Sequence, residues 1–163
     1  MSLPESVRPI LESVIRQPTV ARGLPLEFWR HPDHRAWIDA FTELAIALTQ
    51  SDLDEASLPR GYVLIAYLFD WEAQCQFSGW HALENRRNEL PAIFVAYEEV
   101  GLEGEAEALR RALQAWDASG GDHVAAGAAY NTTRHGYSVD LDRLEYLAGY
   151  FIDHADRLLY DAA

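Results

Sequence analysis

The sequence predicts an all-α fold, a compact single-domain bundle of six or seven helices over residues 1–163. Apolar residues recur at helical spacing in one window after another, no segment reads as a partner strand for any other, and the connections between the long periodic stretches are short. With 49% of its residues hydrophobic, the chain has enough apolar surface to bury a core without disulfides or metals.

In chain order, residues 4–17 place Val7, Ile10, Leu11, Val14 and Ile15 on one stripe, and Pro9 marks the start or a kink of that helix. Residues 18–31, punctuated by Pro18, Gly23 and Pro25, read as an ordered loop whose Leu24, Leu26, Phe28 and Trp29 pack on the core. The next helix, about 32–50, carries Trp37, Phe41, Leu44 and Leu48 on one face. Ser57 and Pro59 then offer an N-cap and a first-turn proline. Residues 59–77 are apolar nearly all round as far as Asp70. A buried strand at 62–69 is the alternative, but the pattern runs on through Trp71-Glu72-Ala73-Gln74 without a breaker and predicts a central helix.

Ser78-Gly79 interrupts it, and a short helix covers Trp80 to Arg87. A helix capped by Asn88 runs to Val100 with Leu90, Ile93, Phe94 and Tyr97 inward, and Gly101-Leu102 reads as its stop. Residues 103–118 give a further stripe of Ala106, Leu109, Leu113 and Trp116. Residues 119–138 read as a mobile loop with Gly127 and Gly136. The last helix, about 140–160, buries Leu141, Leu144, Ala148, Phe151, Ala155 and Leu158.

Thirteen basic residues, all arginine, against 26 acidic ones give a net charge of −13. That balance argues against direct nucleic-acid binding, which needs cationic cover for phosphates. The longest apolar run, Tyr62 to Phe69, is far short of the roughly 20 residues that span a bilayer. A lone cysteine, Cys75, and an opening without leader character lead to the expectation of a cytoplasmic protein with no membrane association. Cys75 lies in an apolar helix with no cation beside it in sequence and reads as structural rather than nucleophilic. No nucleophile elbow, phosphate-binding glycine loop or zinc spacing is present. His31 and His34, flanking Asp33, mark a helix start rather than a metal site. The expectation is therefore no catalytic residue, no metal and no cofactor.

Two constellations remain. In the last helix Asp142, Glu145, Asp153 and Asp156 fall within about 80° of one another at 100° per residue, a stripe roughly 21 Å long. Its spacing makes an imperfect ladder of phosphate-like charges. Arg157, four residues from Asp153, can neutralise part of it. The second constellation is the polar–aromatic segment 70–85. Glu72, Trp80, His81 and Asn85 there offer a ligand or interface patch, with His81 and Asn85 on one helical face.

Glu72, the stretch Phe77-Ser78-Gly79-Trp80 on to Asn85, the helix end Tyr97-Glu98-Glu99-Val100-Gly101-Leu102, the segment Glu105-Ala106-Glu107-Ala108-Leu109 and the closing acidic helix together resemble the bacterial DUF4375 family of DMP19-like proteins over about residues 60–160. The resemblance implies an all-α fold, leaves room for a homodimer and carries over no catalytic residues. It implies a DNA mimic whose acidic face, here the stripe of Asp142, Glu145, Asp153 and Asp156, occupies a basic DNA-binding regulator. The sequence expectation is thus an acidic bacterial interaction protein that is not an enzyme, with a basic protein partner. A toxin-neutralising, immunity-type protein is one alternative. A small-ligand-binding protein or enzyme using Glu72, Trp80, His81 and Asn85 is the other.

Overall fold

The structure, a computed structural model, describes residues 2–20, 23–132 and 135–161. Helices are the only regular elements among the described residues, so the fold is all-α as expected. Seven of the described α-helices have seven or more residues: α1 (Arg8–Val14), α2 (Ile38–Thr49), α3 (Arg60–Ser78), α5 (Leu90–Glu99), α6 (Glu103–Ser119), α7 (His123–Tyr130) and α8 (Asp140–Asp153). Two are single turns, α4 (Ala82–Asn85) and α9 (Ala155–Leu158).

The chain divides into two compact units. One is Met1–Asp70 with Leu144–Ala163, and the other is Trp71–Arg143. Helices α3 and α8 have residues in both. The first unit has an aromatic core. Phe28 stacks on Trp37 with ring centroids 5.3 Å apart, Phe41 stacks on Phe69 at 5.0 Å, and Phe151 lies against both. Trp37, Phe41, Leu44 and Leu48 all face inward from the helical stretch expected to bury them. Pro9 sits in the first turn of α1, where its missing N–H is no loss. Phe28 and Trp29 are buried, while Leu24 and Leu26 are half-buried.

The second unit buries Trp71, Leu83, Ile93, Tyr97, Ala106, Leu109 and Trp116. Its α5–α6 corner is a Schellman turn. Gly101 adopts φ 84°, the Leu102 N–H donates to the Tyr97 carbonyl at 2.8 Å, and the Gly101 N–H donates to that of Glu98 at 3.1 Å. Glycine is needed there because a side chain disfavours that φ.

Three sequence expectations are corrected. Residues 123–130 are helical rather than loop. Asp122 caps this helix by accepting from the Val124 N–H at 2.8 Å, and the alanines of His123-Val124-Ala125-Ala126-Gly127-Ala128-Ala129-Tyr130 favour helix despite the weak apolar period. The expected helix over 140–160 breaks at His154, which leaves helical geometry (φ −110°, ψ 15°). The His154 backbone N–H still donates to the Tyr150 carbonyl at 3.1 Å, and the ring Nδ1 lies 2.9 Å from the same oxygen. Leu141, expected inside, is exposed although its spacing puts it on the same helical face as buried Leu144 and Ala148, because it sits in the first turn of α8.

Candidate functional site

The second unit carries a buried polar network. Glu72 and Cys75 are three residues apart on α3 and so share a face. Arg143 lies in the first turn of α8, Tyr97 near the end of α5, Glu105 in the first turn of α6, and Tyr130 at the end of α7. Glu72 is 1% exposed, Glu105 2% and Arg143 4%.

Arg143 grips Glu72 with two hydrogen bonds, Nε to Oε1 and Nη2 to Oε2, the second at 2.8 Å. This is the forked geometry that arginine supplies and lysine does not. The same guanidinium donates through Nη1 to the Tyr137 carbonyl at 2.9 Å and through Nη2 to Asp140 at 3.0 Å. The Tyr97 hydroxyl donates to Glu72 Oε1. Glu72 is therefore fully partnered; burial works against the charge on Arg143, but the hydrogen bonds and charge of Glu72 outweigh it and hold the guanidinium pKa above its ordinary value.

Glu105 is placed differently. The Tyr130 hydroxyl donates to its Oε2 at 2.7 Å, and Arg143 Nη1 lies 3.6 Å from the same atom. His135 Nε2 is 3.0 Å from Oε2 but out of line, and makes no hydrogen bond among the described residues. Burial pushes the Glu105 carboxyl up to about 7, with the pull of Arg143 and the Tyr130 hydrogen bond acting the other way. Burial, reinforced by the charge of Arg143, holds His135 below its ordinary value. Gly104 lets His135 in, since a Cβ there would stand 2.8 Å from the His135 Cβ.

These groups floor a cavity of about 180 Å³ lined by Cys75, Trp80, Glu105, Tyr130, Asp140 and Arg143, with Gly79, Leu109 and Ser138 completing the wall. The Trp80 and Tyr130 rings meet at 60°, centroids 5.5 Å apart, and form an aromatic corner. Burial raises the Cys75 thiol above its ordinary value, so its sulfur is a soft apolar wall rather than a thiolate.

The patch expected from the sequence is split by the fold. Trp80 lines the cavity. Glu72 lies behind it, locked to Arg143. His81 turns elsewhere, with its Nε2 3.1 Å from that of His123 and its ring edge-on to Trp116. Asn85 is exposed on α4. His81 and Asn85 are therefore not part of the site.

The acidic stripe is changed too. Asp156 is on α9, beyond the break at His154, so the four carboxylates do not share one helix. Glu145 pairs with Arg35 at 2.6 Å, Asp153 lies 3.6 Å from His34, and Asp156 lies 3.6 Å from Arg30. Asp142 is exposed and has no ion-pair partner among the described residues. Exposed pairs of this kind contribute little stability, but the two arginine pairs cancel charge on the surface that a basic partner would read.

Arg143, Glu105, Tyr130 and Asp140 were not singled out as site residues by the sequence. Four separate helices supply Glu72, Glu105, Tyr130 and Arg143, and no local spacing links them. The one available signal was their type: acids and an arginine at positions that the apolar periodicity turns inward. Among the described residues no group of three or more His, Cys, Asp or Glu side chains is arranged to hold a metal, and no helix is long and apolar enough to cross a membrane. No family model, curated protein or solved structure matches this chain. The DUF4375 resemblance thus rests on the residues quoted for it.

Proposed function

We propose that the unit Trp71–Arg143 binds a small molecule in the cavity under Trp80 and Tyr130. The observation that carries this reading is the pairing of that cavity with buried, ionisable walls. Buried ion pairs seldom repay their desolvation in stability, and a carboxyl perturbed by burial and a charged partner beside a cavity is a candidate functional group. About 180 Å³ is room for a ligand of roughly six to eight heavy atoms, judged against dry cavities of similar size that hold benzene.

Thermal melting against a fragment set of that size tests it. A ligand present at 100 times its Kd stabilises by about 2.7 kcal/mol, which is roughly 5–10 °C for a chain of this length. At least one fragment is expected to raise the melting temperature. Cys75→Leu, which puts a bulkier side chain in the lining, is expected to remove that shift. Fragments without effect, or an equal shift in the variant, would defeat the reading.

A second reading, an acidic face for a basic regulator or toxin, is supported by the net charge of −13. It requires the partner to displace Arg30, His34 and Arg35 from three of the four stripe carboxylates. Reversing Asp142, Glu145, Asp153 and Asp156 to lysine is expected, on that reading, to abolish salt-sensitive capture of a basic protein. Capture that survives the reversal would dispose of the stripe.

A further inference from the structure

Resting on the cavity reading above, we infer that the ligand is a small organic cation, an alkylammonium seated against the aromatic corner of Trp80 and Tyr130 with its charge toward Glu105.

Charge balance is the first argument. Three ionisable side chains with fixed or potential charge line the cavity: Arg143, Glu105 and Asp140. The charge of Arg143 is already matched, because both Glu72 oxygens take its Nε and Nη2. Glu105 and Asp140 are then left with one shared, already committed guanidinium between them. Above about pH 7, where Glu105 is ionised, an anionic ligand would meet two carboxylates and an arginine with its strongest donors spent. A cation would supply the missing countercharge.

Open valence on Glu105 is the second. Tyr130, His135 and Arg143 all approach its Oε2. Oε1 accepts no hydrogen bond from any described residue, although the side chain is almost wholly buried and lines the cavity. That oxygen is free to accept, and a ligand N–H in the cavity would engage it with a charge-assisted bond. The walls are the third argument. Trp80 and Tyr130 present π-systems inclined to each other, and such faces attract ammonium groups through the ring quadrupole. The remaining lining, Cys75 and Leu109, suits an alkyl tail. His135 is the other titratable group against Glu105, and burial together with Arg143 keeps it neutral, so it adds no competing charge.

Three probes of one size and different charge decide the matter: butylammonium, 1-butanol and butyrate, titrated into the full chain while the indole N–H resonance of Trp80 is followed by NMR. Butylammonium is expected to shift that resonance and to bind about tenfold or more tighter than 1-butanol, the value of one hydrogen bond to a charged group. Butyrate is expected not to bind. Glu105→Gln should erase the advantage of the cation over the alcohol while leaving the melt cooperative, and Asp140→Asn, at an exposed position in the cavity wall, should reduce it. Butanol or butyrate binding as tightly as the amine would overturn the cation and leave the cavity reading standing. Silence from all three probes, together with a fragment set that also fails, would overturn both.

Discussion

Arg143→Met is expected to be the most damaging single substitution in the second unit, with a loss of about 3–5 kcal/mol, the usual result of removing one partner from a buried pair. Glu72 is the reason. It is almost fully buried, and both of its oxygens depend on the guanidinium. Once Arg143 is gone, only the Tyr97 hydroxyl remains to support that charge. The Tyr137 carbonyl also loses its donor. Methionine keeps most of the buried stem volume, so the loss reads the charge rather than a cavity. Adding Glu72→Gln to Arg143→Met should restore most of the stability, because a neutral amide keeps an acceptor for Tyr97 and no unpaired charge stays buried. Arg143→Lys should fall between, since one ammonium cannot replace the two-pronged grip on Glu72 and also reach the Tyr137 carbonyl. Urea unfolding of the four proteins checks this series. A loss below about 1 kcal/mol in Arg143→Met, the level of an exposed pair, would show that the network is solvated rather than buried.

Stability that falls as pH rises from 4.5 to 8 is the second large effect, and it belongs to Glu105. Its folded carboxyl is pushed up to about 7 from an ordinary 4.5. A group raised on folding holds its proton more tightly in the native state, so its contribution is complete below the unfolded value and disappears as pH passes through the folded one. At 1.36 kcal/mol per pH unit the contribution is about 3 kcal/mol across that window. His135 works the other way. Its neutral form is favoured on folding, so its contribution is present above 6.5 and is lost as pH falls through its lowered folded value. The difference between wild type and Glu105→Gln separates the two. That difference should grow with pH, with the variant relatively more stable at pH 8 than at pH 4.5. Parallel stability curves for the two proteins would mean that Glu105 is ionised at an ordinary pKa.

The structural corrections share a cause with the site that the sequence did not reveal. Helical periodicity reports which side of a segment is apolar, and it correctly placed Trp37, Phe41, Leu44 and Leu48, as well as Leu90, Ile93, Phe94 and Tyr97. It is weak where alanine dominates, which hid α7 until the Asp122 cap and tertiary packing were visible. It carries no information on a break inside a continuous apolar period, as at His154. Of the four patch residues drawn from the polar–aromatic segment 70–85, two belong to the network or its cavity, Glu72 and Trp80. It could not say that His81 would instead meet His123, 42 residues later in the chain.

Gly61 shows the division most directly. Helix propensity alone favours alanine over glycine inside α3 by about 1 kcal/mol. In the fold, a Cβ at that position would stand 2.5 Å from the Leu158 carbonyl oxygen and 2.7 Å from Leu159 Cδ2, so only glycine lets those segments approach. By itself the sequence determined the all-α class, most helix limits, the inward faces and the excess of negative charge, because each follows from composition, caps and a 3.6-residue period acting over a few turns. Tertiary structure alone decided that Glu105, Tyr130 and Arg143 line one cavity with Glu72 locked behind it, and that three stripe carboxylates lie beside basic side chains. Those contacts join residues from 25 to 126 positions apart, and burial, which sets the protonation of Glu105, exists only once the helices have packed.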